Sequence, residues 1–336
     1  MTDPTGRRSG VTIYQVANRA GVSIATVSRV LRGTARVSPD THQRVLDAIA
    51  ELRYTPSRLG RALAERRHAA NGIVFPELFG PYYSEVLLGY EDAASELGRS
   101  VLILSTHMGS ADRETVLDLA SRVDGLVLFD QTVSEEMIGE LVDRGLPVVL
   151  LGRGPAKGAD AVSADNTASA HALVEHLLEH GHQRIVVLGE LDASSDITQR
   201  WQGVSDALAE RGAPPAELVP CAVNDEAARL AALEILARPE RPDVLVCACD
   251  SLALGALLAA EELGVRIPAD IAITGWDDVM AAKYVRPALT TVCQPMRELG
   301  ARAAAALDER ITGARSTPIH DVLPTELVIR SSCGPH

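Results

Sequence analysis

The sequence predicts a small all-α head followed by an α/β body with enough strands for two doubly wound parallel sheets in series. Three observations carry this. The N-terminal stretch shows helical apolar spacing broken by tight corners. From Asn71 onward, short apolar runs alternate with amphipathic helical stretches. Formal charge also divides sharply between the two parts.

In the head, TIYQVANRAGVSIATVSRVLRG (12–33) reads as two short helices around a corner. Thr12 can N-cap the first, whose Ile13, Val16, Ala17 and Ala20 share one face, and Gly21 supplies the backbone freedom the corner needs. Ser23 can cap the second. Val27, Val30 and Leu31 then point inward, while Ile24, Ala25, Ser28, Arg29 and Arg32 point out. A third helix follows, with Ser38 as cap, Pro39 at its first position, and Val45, Leu46, Ile49 and Leu52 expected in the core. Small corner residues and a polar, Arg-bearing second helix suit a helix-turn-helix that lies in a major groove.

Charge agrees. The chain carries a formal −13, which taken whole argues against a nucleic-acid partner. Residues 1–68, however, hold 12 Arg, no Lys and 5 acids, a charge of +7, which leaves −20 on the rest. A basic head on an acidic body draws phosphate to one end and repels it elsewhere.

Tyr54 to Arg58 breaks the third helix, and 57–65 forms an Arg-rich linker with helical potential. Apolar runs then fall at 72–75, 101–104, 125–129, 147–151, 185–188, 244–247 and 271–274. Helical stretches lie at 82–97, 113–121, 135–144, 169–180, 199–211, 225–237 and 252–263. Such alternation specifies βαβ units.

No apolar run is long enough to cross a bilayer, so no membrane association is expected. The polar, basic N-terminus lacks an apolar signal region, which predicts a cytoplasmic protein. Five thinly spread cysteines (221, 247, 249, 293 and 333) are expected as free thiols. His171, His176, His180 and His182 cluster around one helix, which is read as a solvated face and its end rather than a metal site. No nucleophile–base–orienter set is evident, so neither an enzyme nor a cofactor is expected.

Taken together, these segments resemble the lactose-repressor/galactose-repressor (LacI/GalR) family of bacterial transcription regulators. The matching pieces are TIYQVANRAGVSIATVSRVLRG, VSPDTHQRVLDAIAELRYTPSRLGRAL, ADN at 164–166, EHGHQRIVVLGE, QRWQGVSDAL, RPDVLVCACDSLALGAL, GVRIPADIAITGWDD, PALTTVCQPMRELG and LPTELVIR. They cover 11–331 in order. The resemblance implies a body of periplasmic-binding-protein type, with ligand between two subdomains. Expected boundaries are a head at 1–56, a hinge helix or linker at 57–70, a first subdomain at 71–164 plus 293–313, and a second at 165–292 plus 314–331. Crossings are expected near Asp165, Cys293 and Gly313.

The resemblance also assigns residues. Ile24 and Ala25 should face base edges, where their apolar side chains suit thymine methyl groups. Arg29 aligns with a base-contacting arginine able to grip guanine. Tyr14, Thr26, Ser28 and Arg32 are placed for phosphates, with plain helix surface as the alternative for Thr26 and Ser28. Leu63 takes the position of a leucine that wedges into the minor groove from a hinge helix, the rival reading being an apolar linker residue packed on the body. Gly60 stands where alanine is usual and costs such a helix on the order of 1 kcal/mol.

For the effector, Tyr82, Tyr83, Arg200 and Asp277 match family cleft positions, and Asp250 lies at another cleft-facing strand end. Asp250 and Asp277 serve equally well as helix N-caps. Asn224 stands where many relatives carry an aromatic, and Cys249 where many carry asparagine. The implied partners are operator DNA, a second copy of the chain and a small molecule, a sugar in the first instance. The alternatives are a purine or nucleoside corepressor, or no ligand at all.

Overall fold

The computed structural model describes residues 11–32, 37–54, 68–78, 80–107 and 109–334. The chain divides into two compact units, Met1–His68 and Ala69–His336. The linker, with Gly60 and Leu63, and the side chain of Arg32 lie outside the described residues.

The first unit contains α1 (Ile13–Ala20), α2 (Ile24–Arg32) and α3 (Pro39–Leu52). The Thr12 N–H donates to Gln15 Oε1 at 2.8 Å, which closes the start of α1. Gly21 takes the left-handed conformation (φ 66°) that turns the chain, and the Val22 N–H returns to the Ala17 carbonyl at 3.0 Å. Each helix gives one fully buried valine to the core: Val16, Val27 and Val45. Leu46 departs from expectation, being 41% exposed. The buried stripe of α3 runs through Val45, Ala48, Ile49 and Leu52, at helical spacings of three and four that leave Leu46 on the flank.

In the second unit the first lobe is built on a parallel six-stranded sheet. Its strands are β1 (Ala70–Phe75), β2 (Ser100–Ser105), β3 (Leu126–Phe129), β4 (Val148–Leu151), β5 (Asp160–Ala164) and β11 (His320–Leu323), in the order β11-β5-β4-β3-β1-β2. Central strands such as LVLF and VVLL are buried throughout, as a sheet covered on both faces requires. One face packs α5 (Arg113–Ala120) and α6 (Glu135–Asp143). The other packs α4 (Pro81–Glu96) and α12 (Met296–Thr312). These last two helices meet at glycines: a Cβ on Gly89 would lie 2.0 Å from the Arg297 carbonyl, and one on Gly300 2.0 Å from that of Val86.

The second lobe holds β6 (Ile185–Leu188), β7 (Glu217–Val219), β8 (Val244–Cys247) and β9 (Ala272–Thr274), parallel in the order β7-β6-β8-β9. Around it lie α7 (Asn166–Glu179), α8 (Ser195–Glu210), α9 (Asp225–Leu236), α10 (Asp250–Glu262) and the short α11 (Met280–Tyr284). An antiparallel pair, β10 (Thr291–Cys293) and β12 (Glu326–Val328), completes it.

The chain crosses between lobes at Asp165, at 294–295 and at 324–325. The first and third crossings are tied together, since the Asp165 N–H donates to the Leu323 carbonyl at 2.8 Å and the Thr325 hydroxyl to the Asp165 carbonyl at 2.6 Å. Two expectations change here. Residues 314–331 do not all join the second lobe, because His320–Leu323 pairs with Asp160–Ala164 at the edge of the first sheet. Gly313 is not a crossing but the left-handed C-cap of α12, with φ 77°. What holds the C-terminal stretch on the first lobe is a charge: fully buried Asp160 pairs with Arg310 (3.1 Å) and Arg315 (2.6 Å) and accepts the Ile319 N–H (3.0 Å).

A second buried cluster anchors the start of the body. Arg99 donates to Asp124 and to Asp308, at 2.7 Å each, and Asp124 also accepts the N–H of Ala69 at 2.9 Å. Among the described residues no helix is long and apolar enough to cross a membrane.

Of the four histidines, His171 and His180 lie on the partly or fully exposed face as expected, and His176 and His182 do not. His176 is buried against Cys333 (3.2 Å), and the His182 ring meets the Cys333 carbonyl (3.0 Å). These two bind the C-terminal segment to α7.

Candidate functional site

On the head, α2 presents Ile24, Ala25 and Arg29 as exposed side chains, and Tyr14 on α1 is 68% exposed. Thr26 and Ser28 are half-buried. The Thr26 N–H and hydroxyl both engage Ser23 Oγ (3.2 and 2.9 Å), so Thr26 helps close the helix start.

In the body, the first lobe contributes an aromatic wall to the cleft. Phe75 ends β1, Phe129 ends β3, and Tyr82 and Tyr83 lie in the first turn of α4 after Pro81. Phe75 and Phe129 stack at 5.4 Å, and Tyr83 meets Phe129 edge-on at 5.4 Å. Burial pushes both tyrosine hydroxyls well above their usual range, and the nearby carboxylates Asp196 and Asp277 push them further. Both therefore stay protonated.

The second lobe contributes Arg200, from the buried face of α8. Its Nε donates to Asn166 Oδ1 (2.9 Å) and its Nη1 to the Ala248 carbonyl (2.6 Å). The guanidinium sits 4.9 Å over the Trp276 ring and 4.0 Å from Asp277 Oδ1. Asp277 follows β9 on a backbone at φ 120°, a region that a side chain enters only at a cost of about 1–3 kcal/mol and that clusters at binding sites. Gln294, at the second crossing, donates Nε2 to Asp277 Oδ1 at 2.6 Å. Burial raises the Asp277 carboxyl to about 6, against the lowering pull of Arg200 and Gln294.

Two buried atoms here have no partner among the described residues: Gln294 Oε1 and Trp276 Nε1. An unmet acceptor and an unmet donor beside a guanidinium and a carboxylate suit a small molecule that both gives and takes hydrogen bonds.

The lobes also touch directly. Asp130, just after β3, accepts the N–H of Ser195, the first residue of α8, at 2.6 Å. Asp196 is buried, receives Asn166 Nδ2 at 2.8 Å, and is raised by burial in the first place.

Of the effector residues read from the sequence, Tyr82, Tyr83, Arg200 and Asp277 fall together. Asp250 stands behind them. It caps no helix, but takes the Val279 N–H (2.8 Å) and the Thr291 hydroxyl (2.7 Å), thereby fixing the loop that carries Asp277. Burial first, and Asp277 second, raise its carboxyl to about 8. Asp277 caps no helix either, since Val279 holds the N-cap position of α11. Asn224 falls outside the cluster as an exposed N-cap of α9, its Oδ1 accepting the Ala227 N–H at 2.8 Å. Asn166, Trp276 and Gln294 were within quoted motifs but given no role. Asp130 and Asp196 carried no local signal.

Comparison with known proteins agrees with this arrangement. Residues 12–57 match the family model for bacterial regulatory proteins of the lacI family, and 174–333 match the periplasmic binding protein-like domain. The HTH-type transcriptional repressor PurR of Yersinia pestis (strain Pestoides F) is 33% identical, over 96% of either chain. The chain belongs to the LacI family. As a member it is a DNA-binding transcriptional regulator, not an enzyme.

Solved LacI-family structures share its architecture. The lac repressor dimer bound to operator and the anti-inducer ONPF aligns at a TM-score of 0.85 with 28% identity, covering 97% of this chain and 100% of that one. The transcriptional regulator CelR–cellobiose complex aligns at 0.71 with 30% identity, over 96% and 99%. A LacI family regulator from Enterococcus faecium with bound ribose aligns at 0.73 with 27% identity, over 80% and 99%.

Proposed function

We propose that this LacI-family member represses transcription as a homodimer on a pseudopalindromic operator, and that a small effector, a sugar, held between its lobes switches that binding. One observation carries the effector half. Arg200 and Asp277 lie 4.0 Å apart, beside the unpartnered Gln294 Oε1 and Trp276 Nε1 and near an aromatic wall. Aromatic faces with a neighbouring Arg–Asp pair suit a ring bearing vicinal hydroxyls.

On the DNA side, Ile24 and Ala25 would meet thymine methyl groups and Arg29 a guanine. Tyr14, Thr26, Ser28 and Arg32 would hold phosphates, and Leu63 would enter the minor groove. The exposure of Ile24, Ala25, Arg29 and Tyr14 supports these roles. Self-association is supported by apolar surface on both lobes: Leu78, Leu88 and Ile103 on one, Leu258, Met280 and Tyr284 on the other, each over 40% exposed. A repressor that reaches operator DNA works in the cytoplasm. Effector and operator are then coupled reciprocally, each changing the other's affinity by the same factor.

The relation to PurR favours a second reading, in which a purine strengthens rather than releases operator binding. A thermal-shift screen over sugars, nucleosides and purines, followed by operator titration, separates the readings. A stabilising sugar that releases operator supports the first, and a purine that tightens it supports the second. Tight operator binding with no stabilising compound at millimolar concentration would leave a ligand-independent regulator.

A further inference from the structure

We propose that the cleft rejects negatively charged effectors, with Asp130 and Asp196 as its specificity-determining residues. The effector then carries no phosphate or carboxylate and is rich in hydrogen-bond donors. The inference rests on the effector reading above and narrows it.

The first argument concerns the start of α8. A long helix whose first N–H groups face a cleft is a natural place for a phosphate. Here one such N–H is already taken by a carboxylate of the protein, and a second carboxylate stands beside it. Asp130 reaches from the first lobe to the Ser195 N–H at 2.6 Å, and Asp196 occupies the next position of the helix. Asp196 Oδ1 is held by Asn166. Its Oδ2 faces the opposite lobe, where a Cβ added to Gly152 would lie 3.6 Å away. An incoming anion would meet two carboxyl groups where it needs donors.

Charge balance gives the second argument. Arg200 stands near Asp277, Asp196 and the tyrosines, with Nε and Nη1 already committed to Asn166 and Ala248. Arg153, next to Gly152, gives Nη2 to Glu135 at 2.5 Å, and its buried Nε, without a partner among the described residues, is one more donor for a neutral ligand's oxygen. The cluster therefore holds more carboxylate than guanidinium before any ligand enters.

The third argument is independent of charge. Gln294 is 3% exposed, and its Oε1 has no donor among the described residues. Trp276 is 1% exposed, and its Nε1 has no acceptor among them. A hydroxyl, which both donates and accepts, can answer either atom. A fully ionised phosphate, which only accepts, leaves the glutamine oxygen unmet and desolvated.

The test uses the full chain and compounds in pairs: glucose with glucose 6-phosphate, ribose with ribose 5-phosphate, adenosine with adenosine 5′-monophosphate. Inorganic phosphate serves as a probe that needs no knowledge of the effector. Thermal shift and calorimetry should find stabilisation by neutral members only and none by phosphate. In Asp196→Asn, which keeps shape and removes charge, the phosphorylated partner of any binding compound should gain on the order of tenfold in affinity, the effect of removing one nearby like charge. In the Asp130→Asn, Asp196→Asn double variant, inorganic phosphate should begin to stabilise the chain. Wild-type preference for a phosphorylated member, or phosphate binding equal in wild type and double variant, would overturn the proposal. If no neutral compound binds but phosphate behaves as expected, charge rejection stands and the sugar reading fails.

Discussion

The carboxylate of Asp130, on the first lobe, accepts the backbone N–H of Ser195, on the second, at 2.6 Å. One lobe thus completes the helix start of the other. Asp130→Ala should cost about 0.5–2 kcal/mol in unfolding free energy, the usual range for a lost cap. Amide exchange should quicken at Ser195 ahead of the rest of α8. Unchanged protection at Ser195 would mean that the contact does not hold the lobes together.

Asp250 and Asp277 make stability depend on pH. Each carboxyl binds its proton more tightly in the fold than in the unfolded chain, so unfolding releases protons above about pH 4. Stability should fall as pH rises, until Asp277 has titrated near 6 and Asp250 near 8. Asp250→Asn should flatten the decline between those two values. Melting curves of the ligand-free chain across this interval would expose a wild type that does not decline.

Gly89 and Gly300 let α4 and α12 approach backbone to backbone. Gly300→Ala should destabilise by about 1–3 kcal/mol or more, because the added carbon meets a carbonyl rather than a side chain that can move aside. Denaturant unfolding measures this directly. Gly154→Ala, where a Cβ meets nothing within 4 Å, serves as the matched control.

Asn224→Ala separates a helix cap from a ligand contact. Loss of the 2.8 Å bond to the Ala227 N–H should cost about 1 kcal/mol of stability. Affinity for any compound found in the thermal screen should stay the same, and a matching loss of binding would return Asn224 to the effector site.

Arg29→Ala should relax sequence preference at one base pair by about 1–3 kcal/mol, as for a side chain that grips a guanine edge. Binding to an array of single-substitution operators distinguishes this from a uniform loss, which would assign Arg29 to phosphate.

The head was legible because its determinants are local: a left-handed glycine, capping hydroxyls and a short helical period lie within one stretch of sequence. The error at Leu46 was one of phase on a helix with apolar residues at several neighbouring positions. In the body, wholly apolar strands such as Val148–Leu151 announced themselves, whereas β5, with its Asp160 and Ser163, did not. Its Asp160 is fully buried at the start of the strand, paired with arginines about 150 positions further along the chain, and no local pattern encodes that. The cleft divides in the same way. Arg200 and Asp277 were readable by resemblance to a family. Asp130 and Asp196 meet only because the chain crosses between lobes, and an aspartate after a strand looks alike whether it faces solvent or another domain.

The Arg99 cluster has a mechanical consequence. Helix α12 begins two residues after Gln294, which touches Asp277, and carries Asp308, which holds Arg99 and through Asp124 the first residue of the body, Ala69. Its 17 residues span about 26 Å. A tilt of about 5° at the cleft end of so stiff a lever displaces the far end by about 2 Å. That far end is tied through Arg99 and Asp124 to Ala69, so the cleft and the first residue of the body hang on one rigid rod.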